Sequence, residues 1–126
     1  MYILDLTLNE IIIDIKENFN KNNYYLITCI PNELEALKDI LDIDEDTFEE
    51  CLEFDDNMKL DIFEKYDFIS LNTYEIINRK IKLTEVNMYL SNKFILLITD
   101  EKHFLYTFLL DTIQNKKHYG KKPTIN

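Results

Sequence analysis

Glycine is almost missing from this chain. There is one in 126 residues, alongside two prolines, two cysteines and no tryptophan. A single glycine leaves no G-x-G-x-x-G turn and no G-x-x-x-x-G-K-[ST] loop, so neither kind of phosphate cradle is available. The same scarcity, shared by proline, leaves no room for flexible linkers or low-complexity segments. Cys29 and Cys51 fit no metal-ligand or redox spacing, and two cysteines make no disulfide framework. Both fall among apolar neighbours, behave there as small hydrophobes and suit a reducing cytosol. Long apolar runs are absent as well. The longest, residues 94–98, is far short of the ~20 residues of a membrane helix. The N-terminus, MYILDLTLNE, has no basic stretch and no cleavage-site pattern, so it does not read as a signal peptide. Positive charge is scarce: 14 Lys and Arg stand against 24 Asp and Glu, a net charge of −10. Such a surface repels phosphate backbones and anionic lipids, which argues against nucleic acid and membrane-surface partners. It attracts cations and basic partners, and it also serves plain solubility.

What is present suffices for one domain. The chain is 46% hydrophobic and 13% aromatic, all of the latter Tyr and Phe. At this length roughly two-thirds of the unfolded surface can be buried. Residues 2–7 alternate as a strand does, with residues 10–15 as its hairpin partner. That second segment stays ambiguous, because Ile12, Ile15 and Phe19 also fit helical spacing. Residues 16–23 are polar and read as a loop. Residues 24–30 form a near-continuous apolar run ending at Pro31, as in a strand buried on both faces. Asn32 reads as a helix N-cap with Glu35 closing a capping box, and Leu34, Leu37 and Leu41 share a face beside Ile40. A second helix starts near Asp44 or Asp46 and buries Phe48, Cys51 and Leu52. Residues 59–62, 66–77, 81–90 and 94–99 read as strands, with turns at Asn78-Arg79-Lys80 and Ser91-Asn92-Lys93. Residues 102–117 read as an amphipathic helix with Phe104, Leu105, Phe108, Leu109, Thr112 and Ile113 as its apolar stripe. Lys116 and Lys117 suit the negative end of its dipole. The sum is an α/β or α+β fold, a mixed β-sheet sandwiched by helices. Residues 119–126 make no element and read as the point where a longer protein was cut.

One cluster could carry chemistry: Asp42, Asp44, Glu45, Asp46, Glu49, Glu50, Glu53, Asp55 and Asp56. Hard cations such as Mg²⁺ take oxygen ligands and keep several waters, so one or two carboxylates can suffice. Glu49 and Glu50 point about 100° apart on a helix, so one can face inward while the other faces out. The plainer reading is that Asp46 caps the helix with Glu49 as its partner and that acids favour a helix start. The loop glycine and ligand order of an EF-hand are missing. His103 and His118 lie near opposite ends of the last helix and read as surface or helix-end residues. Ser70 and Ser91 lack a His-Asp setting, so no enzyme is expected. Aromatics at period two over residues 66–74 could stack bases on a sheet, but core packing accounts for them better at this charge.

The acidic helix is followed by Lys59-Leu60 and then by Phe63-Glu64-Lys65-Tyr66-Asp67-Phe68-Ile69. With Glu49-Glu50 and Leu52 before them, these pieces stand in an order that resembles the N-terminal cytoplasmic domain of CorA-type magnesium and cobalt transporters. The likeness extends over about residues 24–115. It includes Tyr25-Leu26-Ile27-Thr28 (without the family's tryptophan), Leu41-Asp42-Ile43 at a turn, Glu85-Val86-Asn87-Met88-Tyr89-Leu90, and Lys93-Phe94-Ile95-Leu96-Leu97-Ile98-Thr99. The resemblance implies a single cytoplasmic regulatory domain of a homopentameric channel whose membrane helices and glycine-methionine-asparagine pore motif lie downstream. It implies Mg²⁺ or Co²⁺ bound between neighbouring domains, with Glu49 and Glu50 as this chain's metal ligands. The second position is more often Asp in the family, so Glu50 is a longer ligand. The alternative, from another class, is a free-standing protein-interaction module of the same fold without a metal role.

Overall fold

The alternating runs pair into one mixed sheet in the computed structural model, which describes residues 1–53 and 58–119. In chain order the elements are β1 (Tyr2–Asp5), β2 (Glu10–Ile12), α1 (Ile15–Asn18), β3 (Tyr25–Cys29), a 3-10 turn (Pro31–Glu33), α2 (Glu35–Lys38) and α3 (Glu45–Leu52). There follow β4 (Lys59–Ile62), β5 (Asp67–Ile77), β6 (Lys80–Leu90), β7 (Phe94–Ile98) and α4 (Phe104–Tyr119). Among the described residues the sheet has seven strands in the order β2-β1-β3-β7-β6-β5-β4. Only β3 and β7 run parallel. As the apolar run ending at Pro31 predicts, β3 is central, with a strand on either side and Ile27 and Cys29 wholly buried.

Because strand side chains alternate, each strand feeds two faces. Ile3, Tyr25, Ile27, Leu96, Ile98, Phe68 and Tyr89 point to one, where Leu34, Leu37, Phe48 and Cys51 close the main core. Leu4, Leu97 and Val86 are buried on the other. There α4 covers β1 and β3, with Tyr106 edge-on to Tyr2 at 6.2 Å. The sheet is thus sandwiched by helices.

β5 and β6 pair along their whole length through a turn at Asn78 and Arg79, with φ of 51° and 63°. Two consecutive left-handed residues match the twist of a two-residue hairpin. Yet β4 reaches β5 only over residues 67–70, and β7 reaches β6 only over 87–90. The far half of the hairpin therefore projects beyond its neighbours.

Local expectations fail where one turn decides the structure. The segment expected as loop 16–23 contains part of α1, a single turn capped by Asp14, whose Oδ1 accepts the Lys16 N–H at 3.0 Å. Asn32 is not a cap. The turn begins one residue before Pro31, whose fixed φ suits a first helical position, and Glu33 Oε1 accepts the Ile30 N–H at 3.1 Å. Leu52, expected to be buried, is exposed at the last turn of α3. On α4 the sheet-facing residues are His103, just before the helix, and Tyr106, with Leu110 half-buried in line with them. Phe104 and Phe108 are exposed, so the expected stripe is not the buried one. His103 stands at the helix end, as expected, but it is buried and not on the surface. Its ring is anchored to β5, and that fixes the rotation of the helix. The side chains of Ile113, Lys116, Lys117 and His118, and residues 120–126 of the expected tail, lie outside the described residues.

Candidate functional site

α3 owes its position to Tyr66. Asp44, the N-cap, has no side-chain bond into its own helix. Its backbone N–H donates to the Tyr66 hydroxyl at 3.0 Å, and that hydroxyl donates to Asp44 Oδ2 at 3.2 Å. Thr47 Oγ1 lies 3.1 Å from the same hydroxyl. Burial raises the Tyr66 phenol above its ordinary pKa, so it stays protonated. The expected cap at Asp46 with Glu49 does not form, because the helix has already begun at Glu45. Below the helix, Phe48 and Cys51 enter the core. Burial pushes the thiols of Cys29 and Cys51 up to about 12, so neither is a nucleophile at neutral pH.

The acids of this region divide into two groups. Asp42 takes Lys65 at 2.9 Å, Asp44 takes the same Lys65 at 3.5 Å, and Glu45 is paired with Lys38. The Asp42 carboxylate raises the Lys65 ammonium above its ordinary value, and Glu45 does the same for Lys38. Lys38 also lies over the Phe48 ring, 4.7 Å from its centroid. The second group is Asp46, Glu49, Glu50 and Glu53, which together line a concavity of about 410 Å³. Positions 46, 49, 50 and 53 share one helix face, being spaced i, i+3, i+4 and i+7. Asp46, Glu49 and Glu53 are exposed, and among the described residues no cation reaches them. Glu50 is half-buried: Oε1 is paired with Lys59 on β4, while Oε2 is buried and accepts no hydrogen bond from the described residues.

The structure thus brings Glu49 and Glu50 together and adds Asp46 and Glu53 to their face. Among the described residues no three acidic, His or Cys side chains converge tightly enough to enclose a metal. An open row of carboxylates can hold a hydrated ion through its waters, which is how Mg²⁺ is commonly held. Asp55 and Asp56 of the acidic cluster lie outside the described residues. Helical periodicity could have selected the 46-49-53 row from the sequence. The lysine that pairs with Glu50 comes from strand β4 and could not be read from helical spacing.

Comparison with known proteins points one way. The family model described as CorA-like Mg²⁺ transporter protein matches residues 20–125. The fold superposes on the soluble domain of CorA from Methanocaldococcus jannaschii with a TM-score of 0.71 and 18% identity, over 99% of this chain and 48% of that one. It also superposes on the full-length CmaX protein with a TM-score of 0.65 and 11% identity, over 92% of this chain and 38% of that one. The chain therefore spans about half the length of the first structure and less of the second. No curated protein matches the sequence at a significant level.

Proposed function

Because the chain belongs to the CorA-like Mg²⁺ transporter family, we propose that it is the cytoplasmic, cation-sensing regulatory domain of a CorA-type transporter, with Mg²⁺ or Co²⁺ gathered at the acidic face of α3. The family is one of transporters and not of enzymes. Among the described residues no helix is long and apolar enough to cross a membrane, so in this reading the pore is built by other parts of the protein.

The observation that carries the sensing role is the 46-49-53 row beside the uncompensated Glu50 Oε2. Four carboxylates lie on one face and, among the described residues, one lysine answers them. Glu49 is the outward ligand, and Glu50, whose Oε1 is held by Lys59, is the second carboxylate beside it. In a homo-oligomer, a pentamer by family likeness, such faces repel across subunit boundaries. A hydrated dication between them relieves that repulsion and favours the symmetric closed assembly. Loss of the ion releases it, a population shift driven by differential binding.

Co²⁺ supplies a direct map of the site. Substoichiometric Co²⁺ should broaden the amide resonances of Glu49, Glu50 and Glu53 first, and excess Mg²⁺ should restore them. The double variant Glu49→Gln with Glu50→Gln should lose the effect. Broadening spread evenly over every acidic surface would count against the reading.

The interaction-module reading has one observation in its favour. Tyr74, Ile76 and Ile81 are mostly exposed on one face of the projecting hairpin. A partner held there would bind with the same affinity in Mg²⁺ and in chelator.

A further inference from the structure

β4 is an end strand of the sheet, and among the described residues no strand lies beyond it. Phe63, just past β4, donates its N–H to the Tyr66 carbonyl at 2.9 Å. Alternate residues of a strand turn their main-chain groups to opposite sides. Lys59 and Asp61 therefore bond towards β5, while Met58, Leu60 and Ile62 aim their N–H and C=O groups outward.

The side chains of this edge run against the usual pattern. Met58, Leu60 and Ile62 are 64%, 60% and 77% exposed. Leu60 and Ile62 lie on the face away from α3, because Asp61 stands opposite Phe68 of the main core. Lys59 shares the α3 side with Asp61. A solvated strand face is ordinarily polar, and an open edge that is apolar is a template for another strand.

Met58-Lys59-Leu60-Asp61-Ile62 complements itself when reversed: apolar meets apolar, and lysine meets aspartate. We propose that β4 pairs antiparallel with β4 of a second copy of this chain, centred on Leu60, joining the two sheets into one. This contact is independent of the metal reading at α3. On the open face Leu60 meets Leu60 of the second copy, and Met58 meets its Ile62. On the α3 side Lys59 meets Asp61 of the second copy, and Asp61 meets its Lys59. Opposite charges directly across a strand pair stabilise it, and like charges oppose it. Charge therefore selects this register. Centring on Asp61 sets that carboxylate against its own copy, and centring on Ile62 sets Lys59 against Lys65.

Lys59 also holds Glu50, which brings the acidic face of α3 near this edge. The acidic faces of the two copies flank the two-fold axis and repel. With so short a strand, the pairing is weak, with a Kd on the order of 0.1 mM.

The test is sedimentation equilibrium from about 10 μM to about 1 mM, spanning that Kd. EDTA removes dications, and about 0.3 M NaCl screens the acids. The wild type should pass from monomer to dimer. Asp61→Lys and Lys59→Asp should each weaken the dimer about tenfold, since like charges then face each other at both ends of the register. An equimolar mixture of the two variants should regain the wild-type affinity, each supplying the charge the other lacks. Leu60→Cys lies on the axis, at the Cα separation of about 5.5 Å that a hydrogen-bonded pair gives and a disulfide accepts. The natural cysteines are buried, so under mild oxidation Leu60→Cys should cross-link two chains far faster than Asp61→Cys. A monomer at every concentration would overturn the proposal. A dimer indifferent to Asp61→Lys, or equal cross-linking at positions 60 and 61, would overturn it too. Should the charge variants fail to fold, the cysteine comparison decides alone.

Discussion

His103 uses its two ring nitrogens in opposite senses. Nδ1 accepts the Leu105 N–H at 3.1 Å and so caps α4. Nε2 must then carry the proton, and it donates to Thr73 Oγ1 at 2.6 Å. Thr73 Oγ1 in turn donates a hydrogen bond to the Thr84 carbonyl at 3.2 Å, which ties the helix to the hairpin. Burial lowers the His103 pKa; Glu75 and Asp100 oppose the shift weakly and Lys82 aids it. With the folded pKa below the unfolded value of about 6.5, the unfolded chain binds more protons between the two. The stability His103 contributes is therefore complete above about pH 6.5 and is lost as pH falls through the folded value. Urea unfolding should show the wild type losing stability relative to His103→Asn between pH 7.5 and pH 5, since Asn keeps a cap acceptor and does not titrate. Parallel losses in both would refute the assignment. His103→Ala should cost about 1–3 kcal/mol at pH 7.5, a lost cap plus the lost hydrogen bond to Thr73 Oγ1. The sequence places His103 at a helix start but cannot reveal its burial. A capping histidine has the same neighbours in sequence whether it faces water or a strand.

Elements were legible in proportion to their length. β3, β5, β6 and β7 announce themselves by alternation or unbroken apolarity, and the turn at Asn78 and Arg79 by its polar triplet. α1 and α2 have four residues each, too few for a 3.6-residue period to register. α4 was placed correctly but rotated wrongly. Phe104 and Phe108 outrank Tyr106 in hydrophobicity, yet the Tyr2–Tyr106 contact and the His103 anchor decide which face is buried. The link between α3 and β5 is also tertiary, a tyrosine hydroxyl 22 residues from the amide it satisfies. Tyr66→Phe should therefore destabilise the fold by about 1–3 kcal/mol, because the Asp44 N–H is left without its acceptor. Amide exchange at the start of α3 should accelerate more than exchange in β3. Uniform acceleration would mean that the hydroxyl serves the whole core and not this helix.

At the scale of the whole molecule, the composition already argued against nucleic acid and phosphate binding, and the ordered motifs suggested the family that the comparison supports. The sheet order was not legible, because the one parallel pairing, β3 with β7, joins strands separated by most of the chain. Of the candidate site the sequence offers an acidic helix with Glu49 and Glu50 as its proposed ligands; it cannot show that Lys59 engages Glu50 or that Asp46 and Glu53 line the same concavity. A net charge of −10 means that any salt will stabilise the protein somewhat by screening. A specific dication site must exceed that background. The decisive measurement is thermal unfolding across a MgCl₂ titration, against NaCl at matched ionic strength, for the wild type and Glu49→Gln. A site held at ten times its Kd adds about 1.4 kcal/mol, a rise of roughly 4 °C or more over the NaCl curve for a domain of this size. The account predicts that rise in the wild type and its loss in Glu49→Gln. Superimposable MgCl₂ and NaCl curves in the wild type would contradict it.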